Sequence, residues 1–306
     1  MTPSSSHHQD LRHLAAGYAV LASLAVSASL VAIAARPPAS LVVLVLACGV
    51  TVGGIPGWRR VLALQSHRGL DEALEVDLER KRRIQAVLNA GDTLSIVFQP
   101  VIDLTSNLTV GWEALTRFHG DDLSPRVWFE EAGAVGLAVE LELLAVSRAL
   151  DSAPRPEYLA INVGPATLVD ERFIALMRRR RQGPLVVELT EHAVIDDYAV
   201  VIAALDQLRQ LGIRVAVDDA GSGFSSLRHV ISIAPDIIKL DQALIASIDR
   251  DQRRRTLATS LATFAAEIGS ELVAEGIERE EELRVCEEIG IRFGQGFLLG
   301  RPAART

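Results

Sequence analysis

Cysteine is scarce in this chain of 306 residues: Cys48 and Cys286 are the only two. They build no disulfide framework, show no metal-ligand spacing, and suit a reduced compartment. Positive charge is also in deficit. The 31 Lys and Arg stand against 39 Asp and Glu, a formal net charge of −8, so nucleic acid is not expected as a partner, because that binding leaves a basic footprint. The basic clusters that do occur, Arg178–Arg181 and Arg253–Arg255, fall on helical patterns and read as solvated faces, and His7-His8 is too short for a metal tract.

Charge is missing altogether from two N-terminal stretches, which concentrate a hydrophobic fraction of 49% and a mean hydropathy of +0.25. Leu14 to Ala35 is uncharged over about 22 residues, enough to cross a hydrocarbon core of ~30 Å. Arg36-Pro37-Pro38 ends that run. Ser40 to Trp58 is a second, followed by Arg59-Arg60. Neither run has the polar face of a soluble core helix, and the first is longer than the ~7–15 apolar residues of a signal peptide. Trp58 suits a membrane interface, and the arginines suit the cytoplasmic side. The expected organisation is a cytoplasmic tail at 1–13, an all-α two-helix transmembrane hairpin at 14–58, a juxtamembrane helical linker at 59–81 and a globular domain at 82–306. Both termini are then cytoplasmic and the lipid bilayer is a partner. In the linker, Leu70, Leu74 and Leu78 recur every four residues, and Ile84, Val87 and Leu88 extend the stripe. The pattern is too short for a coiled coil; a solvated helix is the default and a dimer-forming stalk the alternative.

What is present converges on one stretch. Val215-Ala216-Val217 reads as the end of a buried strand, and Asp218-Asp219 follow it ahead of Ala220-Gly221-Ser222-Gly223. Side chains alternate across a strand, but at its end the chain can turn two successive carboxylates into one pocket. Buried acids are costly without a compensating cation, and a carboxylate bridging two divalent ions is a common arrangement for displacement at phosphorus. On this stretch alone, an Asp pair that caps a helix or opens a turn is an equal alternative.

From Thr93 onward, short apolar segments alternate with helical patterns. Strands are expected at 94–101, 109–115, 159–163, 185–189, 214–217, 237–240, 271–274 and 291–293, with helices that include 166–181, 198–211, 252–268 and 279–289. Eight strands, mostly in strand–helix repeats, indicate an α/β fold, a modified (β/α)8 TIM-like barrel. The short turn Leu104-Thr105-Ser106-Asn107 makes the first two strands an antiparallel pair. Chemistry in such barrels lies at the carboxyl ends of strands, where this sequence puts Glu113, Asn162, Glu188, Asp218, Asp219, Lys239, Glu275, Glu278 and Gln295. Oxygen donors of this kind suit a hard cation, Mg²⁺ or Mn²⁺. His192 and His229 near that end read as polar surface residues, and Cys286 on an apolar stripe as core.

The tripeptide Glu113-Ala114-Leu115 is followed in order by Asn162, Glu188, Asp218-Asp219, Lys239, Glu275-Gly276-Ile277-Glu278 and Gln295-Gly296. Taken together these motifs resemble the EAL domain family, phosphodiesterases of cyclic di-GMP, over about Arg82 to Pro302. A lone Glu-Ala-Leu has little weight; the ordered set is specific. The resemblance implies a first metal site of Glu113, Asn162, Glu188 and Asp218. It implies a second in which Asp219 joins Asp218, with Glu275 at the metal centre and as general base. Lys239 matches the lysine that contacts the nucleophilic water. Gln99, Leu115, Arg117, Glu278 and Gln295 match substrate-pocket positions, with Arg117 at a phosphate. Glu191 matches the glutamate that steadies the loop from Ala220 to Ser226, a loop coupled to dimerisation. The implied reaction opens cyclic di-GMP to linear pGpG at the inner membrane of a bacterium, in a homodimer.

One departure stands out. The family usually has Phe where this chain has Ala220, and that aromatic packs the loop; alanine leaves every matched ligand in place. The segment between Leu115 and Asn162 is compact, which implies shortened helices. Without turnover the same pocket would make a membrane-bound receptor for cyclic di-GMP, but degenerate members of that kind lose metal ligands that this chain keeps. No Gly-Gly-Asp-Glu-Phe motif is present, so synthesis of the dinucleotide is not expected.

Overall fold

The computed structural model describes residues 58–90, 93–120, 123–152, 157–179, 183–189, 195, 197–220 and 224–304, with side chains from 74 onward except 224–226. The expected hairpin lies outside these residues up to 57, as do Glu191 and His192. Among the described residues no helix is long and apolar enough to cross a membrane. The chain divides into two compact units, Met1–Leu74 and Glu75–Thr306, and the barrel belongs to the second.

Eight strands close into that barrel in sequence order. They are β1 (Leu94–Asp103), β2 (Leu108–Phe118), β3 (Tyr158–Val163), β4 (Leu185–Leu189), β5 (Arg214–Ala220), β6 (Ile237–Leu240), β7 (Glu271–Ala274) and β8 (Phe293–Gly294). The hairpin turn read from the sequence is real. Asn107 takes a left-handed φ of 55°, which asparagine tolerates. Asp103 Oδ1 accepts the backbone N–H of Thr105 and Ser106 at 3.0 and 3.2 Å, while Oδ2 accepts Arg292 Nε and Nη2 at 2.9 and 2.8 Å. The hydrogen-bonded guanidinium holds the Asp103 carboxyl below its ordinary range. Reversal affects β1 on both sides: it runs antiparallel to β2 and to β8, and every other neighbouring pair is parallel. Hairpin pairing carries β1 and β2 further than expected, to Asp103 and Phe118.

A period of two sorts the strand residues. Val101, Ala160, Val186, Ala216, Ile237 and Val273 form one cluster, the apolar layer inside the barrel. Their neighbours, such as Leu159, Ile161, Val187, Val215, Val217, Ile238 and Leu240, pack in a separate core with the surrounding helices.

Helices fill the connections. α1 is Trp58–Ala90; α2 (Pro125–Ala134) and α3 (Ala138–Ser152) lie between β2 and β3. The single helix expected over 166–181 is two, α4 (Pro165–Leu168) and α5 (Glu171–Arg179). Asp170 is the cause: its carboxylate takes the Arg172 N–H at 2.8 Å and also its guanidinium, so a new helix starts there. Further on come α6 (Tyr198–Gln210), α7 (Phe224–Ile233), α8 (Gln242–Ile245), α9 (Gln252–Ile268) and α10 (Glu280–Glu288). α6, α8 and α9 begin at aspartates 197, 241 and 251, whose side chains accept the helix's first free N–H groups.

The linker stripe divides in two. Ile84 and Val87 are buried with Trp128 and Ala132 of α2 and Leu141 of α3, and the Arg83 guanidinium lies 5.3 Å from the Trp128 ring centre. Leu74 and Leu78 stay exposed. His229 corrects the surface reading: it is buried, with Nδ1 2.7 Å from Tyr198 Oη, because α7 packs against α6. Cys286 is in the core, where burial pushes its thiol up to about 12.

Candidate active site

The alternation that builds the barrel also builds the site. Two positions beyond the apolar layer, toward one rim, the inward residues become polar. Val101 leads to Gln99 on the reversed β1, Ala160 to Asn162, Val186 to Glu188, Ala216 to Asp218, Ile237 to Lys239 and Val273 to Glu275. Glu113 on β2 stands opposite Gln99, and Asn162 opposite Glu188.

β5 continues past Val217, where the sequence pattern ends it, and takes in both aspartates. Its register with β6 breaks between Val217 and Ala220, and Asp219 adopts a left-handed φ of 56°. This irregularity interrupts the alternation that would send Asp219 to the far face. Asp218, Asp219 and Glu275 therefore each offer a carboxylate oxygen within 4.8 Å of the others.

Lys239 sits at the centre, 2% exposed. Its Nζ lies 2.6 Å from Glu275 Oε1, 2.8 Å from Glu188 Oε2, and 3.4 Å from both Glu113 Oε2 and Asp218 Oδ1. Burial opposes its charge, yet the four carboxylates together hold the ammonium well above its ordinary value. Burial lifts the Glu188 carboxyl to about 8, with Lys239 pulling back and the neighbouring acids adding to the rise. Glu275 is pushed well up by the same kinds of cause, burial first. Glu113 goes the other way: burial would raise it, but Lys239 and hydrogen bonds from Asn162 and Gln295 outweigh that and lower it.

A line of amides fixes the Glu113 carboxylate. Asn162 Nδ2 donates to Oε1 at 2.9 Å and Gln295 Nε2 to Oε2 at 2.7 Å. Gln295 Nε2 also reaches Gln99 Oε1 at 3.0 Å, and Gln99 Nε2 donates to Gly300 O at 3.1 Å. The loop after β7 is held from behind by Glu282, which accepts the N–H groups of Ser247, Glu278 and Arg279 at 2.8, 3.1 and 3.2 Å.

The sequence candidates fall into two adjoining compartments. A cavity of about 210 Å³ is lined by Gln99, Glu113, Asp218, Glu275, Glu278 and Gln295. A larger one, about 730 Å³, takes Leu115, Arg117, Asn162 and Asp219 and runs beneath α2 and α3. Arg117 stands away from the acids, its Nη1 donating to Thr116 O at 2.9 Å. Residues missed in the sequence also line these spaces: Gln242 and Phe297 in the smaller, Glu142 in the larger. Glu142 accepts the Gly164 N–H at 2.8 Å, and burial raises its carboxyl. Its signal was available, an acid among Leu141, Ala145, Val146 and Ala149 on the buried side of α3.

Glu113, Glu188, Asp218, Asp219 and Glu275 are five carboxylates against the ammonium of Lys239. The excess negative charge and the all-oxygen donor set fit hard divalent cations. Close contact between loops fixes the geometry. A Cβ on Gly296 would meet Ile277 O at 2.1 Å, a backbone atom that cannot swing aside. Gly296→Ala is expected to cost toward the upper end of ~1–3 kcal/mol, seen as a fall in melting temperature of roughly 5–10 °C. A variant that melts with the wild type would show that the two loops do not touch.

A family model described as the EAL domain matches residues 81–302. The cyclic di-GMP phosphodiesterase NbdA of Pseudomonas aeruginosa is 30% identical over 245 residues, 74% of this chain and 31% of its own length. The cyclic di-GMP phosphodiesterase PdeA of Borreliella burgdorferi is 28% identical over 245 residues, 74% of this chain and 37% of its own. The chain spans roughly a third of the length of the curated relatives it matches, 34% and 30% for two of them. Among solved structures, Klebsiella pneumoniae BlrP1 in a calcium and cyclic di-GMP complex is similar at 28% identity and a TM-score of 0.63, covering 70% of this chain and 56% of that one. An EAL domain protein of Listeria monocytogenes shares the fold at 21% identity and a TM-score of 0.65, over 73% of this chain and 94% of that one.

Proposed function

The chain belongs to the EAL domain family, and on that premise we propose that it hydrolyses one diester of cyclic di-GMP to linear pGpG, using Mg²⁺ or Mn²⁺. The observation that carries this reading is the ring of inward carboxylates around Lys239 at one rim of the barrel. Glu113, Asn162, Glu188, Asp218, Asp219 and Glu275 would hold the ions. Two divalent ions in a site of this kind supply a hydroxide nucleophile near neutral pH and offset charge at phosphorus.

The protein's own groups do the rest. Glu275, held by Lys239 Nζ at 2.6 Å, is placed to accept a proton from the attacking water. Lys239 orients that water and balances negative charge as it builds. Arg117, in the wall of the larger cavity, suits a bidentate grip on phosphate oxygens. Gln99, Leu115, Glu278 and Gln295 supply further pocket walls. A substrate with two nucleotide halves suits two adjoining compartments.

The uncharged runs at 14–35 and 40–58, with arginines at 59 and 60, support attachment by a transmembrane hairpin, which puts the domain at the cytoplasmic face of a bacterial inner membrane. The test is incubation of the purified protein with cyclic di-GMP, with Mg²⁺, with Mn²⁺ and with chelator. Release of pGpG only when a divalent ion is present is the expected outcome. Tight binding with no pGpG in any arm would instead assign a receptor.

A further inference from the structure

Resting on the hydrolysis proposed above, we infer that Glu282, on the first turn of α10, is a positioning residue for the reaction. It ties the loop after β6 to the loop after β7, and so holds Glu275 against Lys239 and Glu278 in the cavity wall.

Glu282 is the third residue of α10, where a carboxylate commonly reaches back to the backbone N–H that precedes the helix. A plain cap needs that one donor, here the Arg279 N–H at 3.2 Å. Glu282 takes two more. Oε2 also accepts the Glu278 N–H at 3.1 Å, and Oε1 accepts the Ser247 N–H at 2.8 Å, from a loop 35 positions earlier. The side chain is 3% exposed. Burial would raise its carboxyl, yet the Ser247 N–H, Arg279 and the Glu278 N–H together hold it below the ordinary range. Arg279 closes the bracket. Its Nη2 donates to Glu282 Oε1 at 2.8 Å, and the same guanidinium grips Asp249, two residues beyond Ser247.

The two loops leave from the central pair of the site. Lys239 lies on β6 and Glu275 directly follows β7, with Nζ 2.6 Å from Oε1. Just past them the loops press together: Gly276 has a φ of 66°, and a Cβ there would meet Gln242 Cγ at 2.3 Å. The N–H groups of the second loop are engaged along its length. Glu275 N donates to Leu240 O and Ile277 N to Gln295 O, both at 3.1 Å, and Glu278 and Arg279 donate to Glu282. On the first loop Ser247 takes a left-handed φ of 60°, a conformation that a residue other than glycine keeps where its surroundings enforce it. Reacting groups must stay within about 0.5 Å of their working geometry. Freeing the far end of the second loop lets Glu278 leave the cavity wall and Glu275 shift from Lys239.

Glu282→Gln separates the bracket from the cap. Whichever way the amide turns, its NH2 faces the N–H groups of one loop, and the other loop alone keeps an acceptor. Losing a partner that orients a metal ligand costs about 10- to 100-fold in metal affinity or activity. With the purified full chain, the Mn²⁺ dissociation constant of Glu282→Gln, read from the electron paramagnetic resonance of free Mn²⁺, is expected to rise about ten-fold or more. At a temperature well below both melting points, kcat for pGpG release should fall by a similar factor. Ser247→Gly keeps the N–H and suits the left-handed backbone, so it should bind Mn²⁺ as the wild type does. Asp249→Asn loosens Arg279 and leaves Glu282 in place; it should weaken Mn²⁺ binding by less, and it replaces Glu282→Gln if that variant melts too low to assay. A lower melting temperature with Mn²⁺ constant and kcat unchanged would make Glu282 a helix cap alone and overturn the inference. A wild type that binds Mn²⁺ and releases no pGpG overturns the hydrolysis, and a Mn²⁺ constant shifted in Glu282→Gln would still uphold the placement of Glu275. A wild type that binds no Mn²⁺ overturns both.

Discussion

Replacing Glu113 with glutamine is expected to cut pGpG release by at least about 100-fold, a loss that mutation of a metal ligand's outer partner can already produce, while the barrel still folds. The structure accommodates the amide. Asn162 Nδ2 can go on donating to the remaining side-chain oxygen, 2.9 Å away. The new N–H would meet Gln295 Nε2, but Gln295 Oε1 has no partner among the described residues and can accept it once the Gln295 amide turns over. That rearrangement forfeits the bond to Gln99, worth ~1 kcal/mol. The charge also leaves Lys239 Nζ, 3.4 Å away, and because the lowered Glu113 carboxyl favours the fold, a modest further loss of stability is expected. Activity is therefore expected to fall far more than stability. Pairing a pGpG assay with thermal melting tests this. Turnover near wild type would remove Glu113 from the reaction, and a large drop in melting temperature would make its role structural.

Lys239→Met should have the opposite signature. The ammonium contacts four carboxylates, and its removal leaves buried acids without their cation. Breaking a buried ion pair from one side costs about 3–5 kcal/mol, a fall of roughly 6–20 °C for a domain of this size. Mg²⁺ or Mn²⁺ should restore part of that loss, because an ion that binds only the folded state adds about 2.7 kcal/mol at 100 times its Kd. The melting temperature of Lys239→Met should thus climb more steeply with added Mn²⁺ than that of the wild type, while turnover stays lost. Equal metal responses in the two proteins would mean that the lysine and the cation do not compensate the same carboxylates.

The site was legible in the sequence to different depths. Glu113, Asn162, Glu188, Lys239 and Glu275 could be found because each interrupts or ends an apolar run, and a strand's period of two then sends them inward together. Asp218 and Asp219 were visible as a pair, but their joint orientation depends on the irregular backbone at Asp219, which no pattern of apolar residues encodes. His229 was misread as surface because burial of a polar side chain depends on which helix covers it, here α6 through Tyr198. The helix over 166–181 was drawn too long because Asp170 breaks it through its own side chain, against an otherwise continuous apolar spacing.

By itself the amino-acid order determined the strand count, the reversed first hairpin, and the residue types gathered at one rim, since these follow from local alternation and turn chemistry. Only the tertiary structure decided that Lys239 stands among four carboxylates, that Gln99, Gln295, Glu113 and Asn162 form one line of hydrogen bonds, and that Phe297 faces the acids. Those contacts join residues as far as 196 positions apart. They exist because closing the barrel sets β8 beside β1, a consequence of packing around the whole ring that no local segment contains.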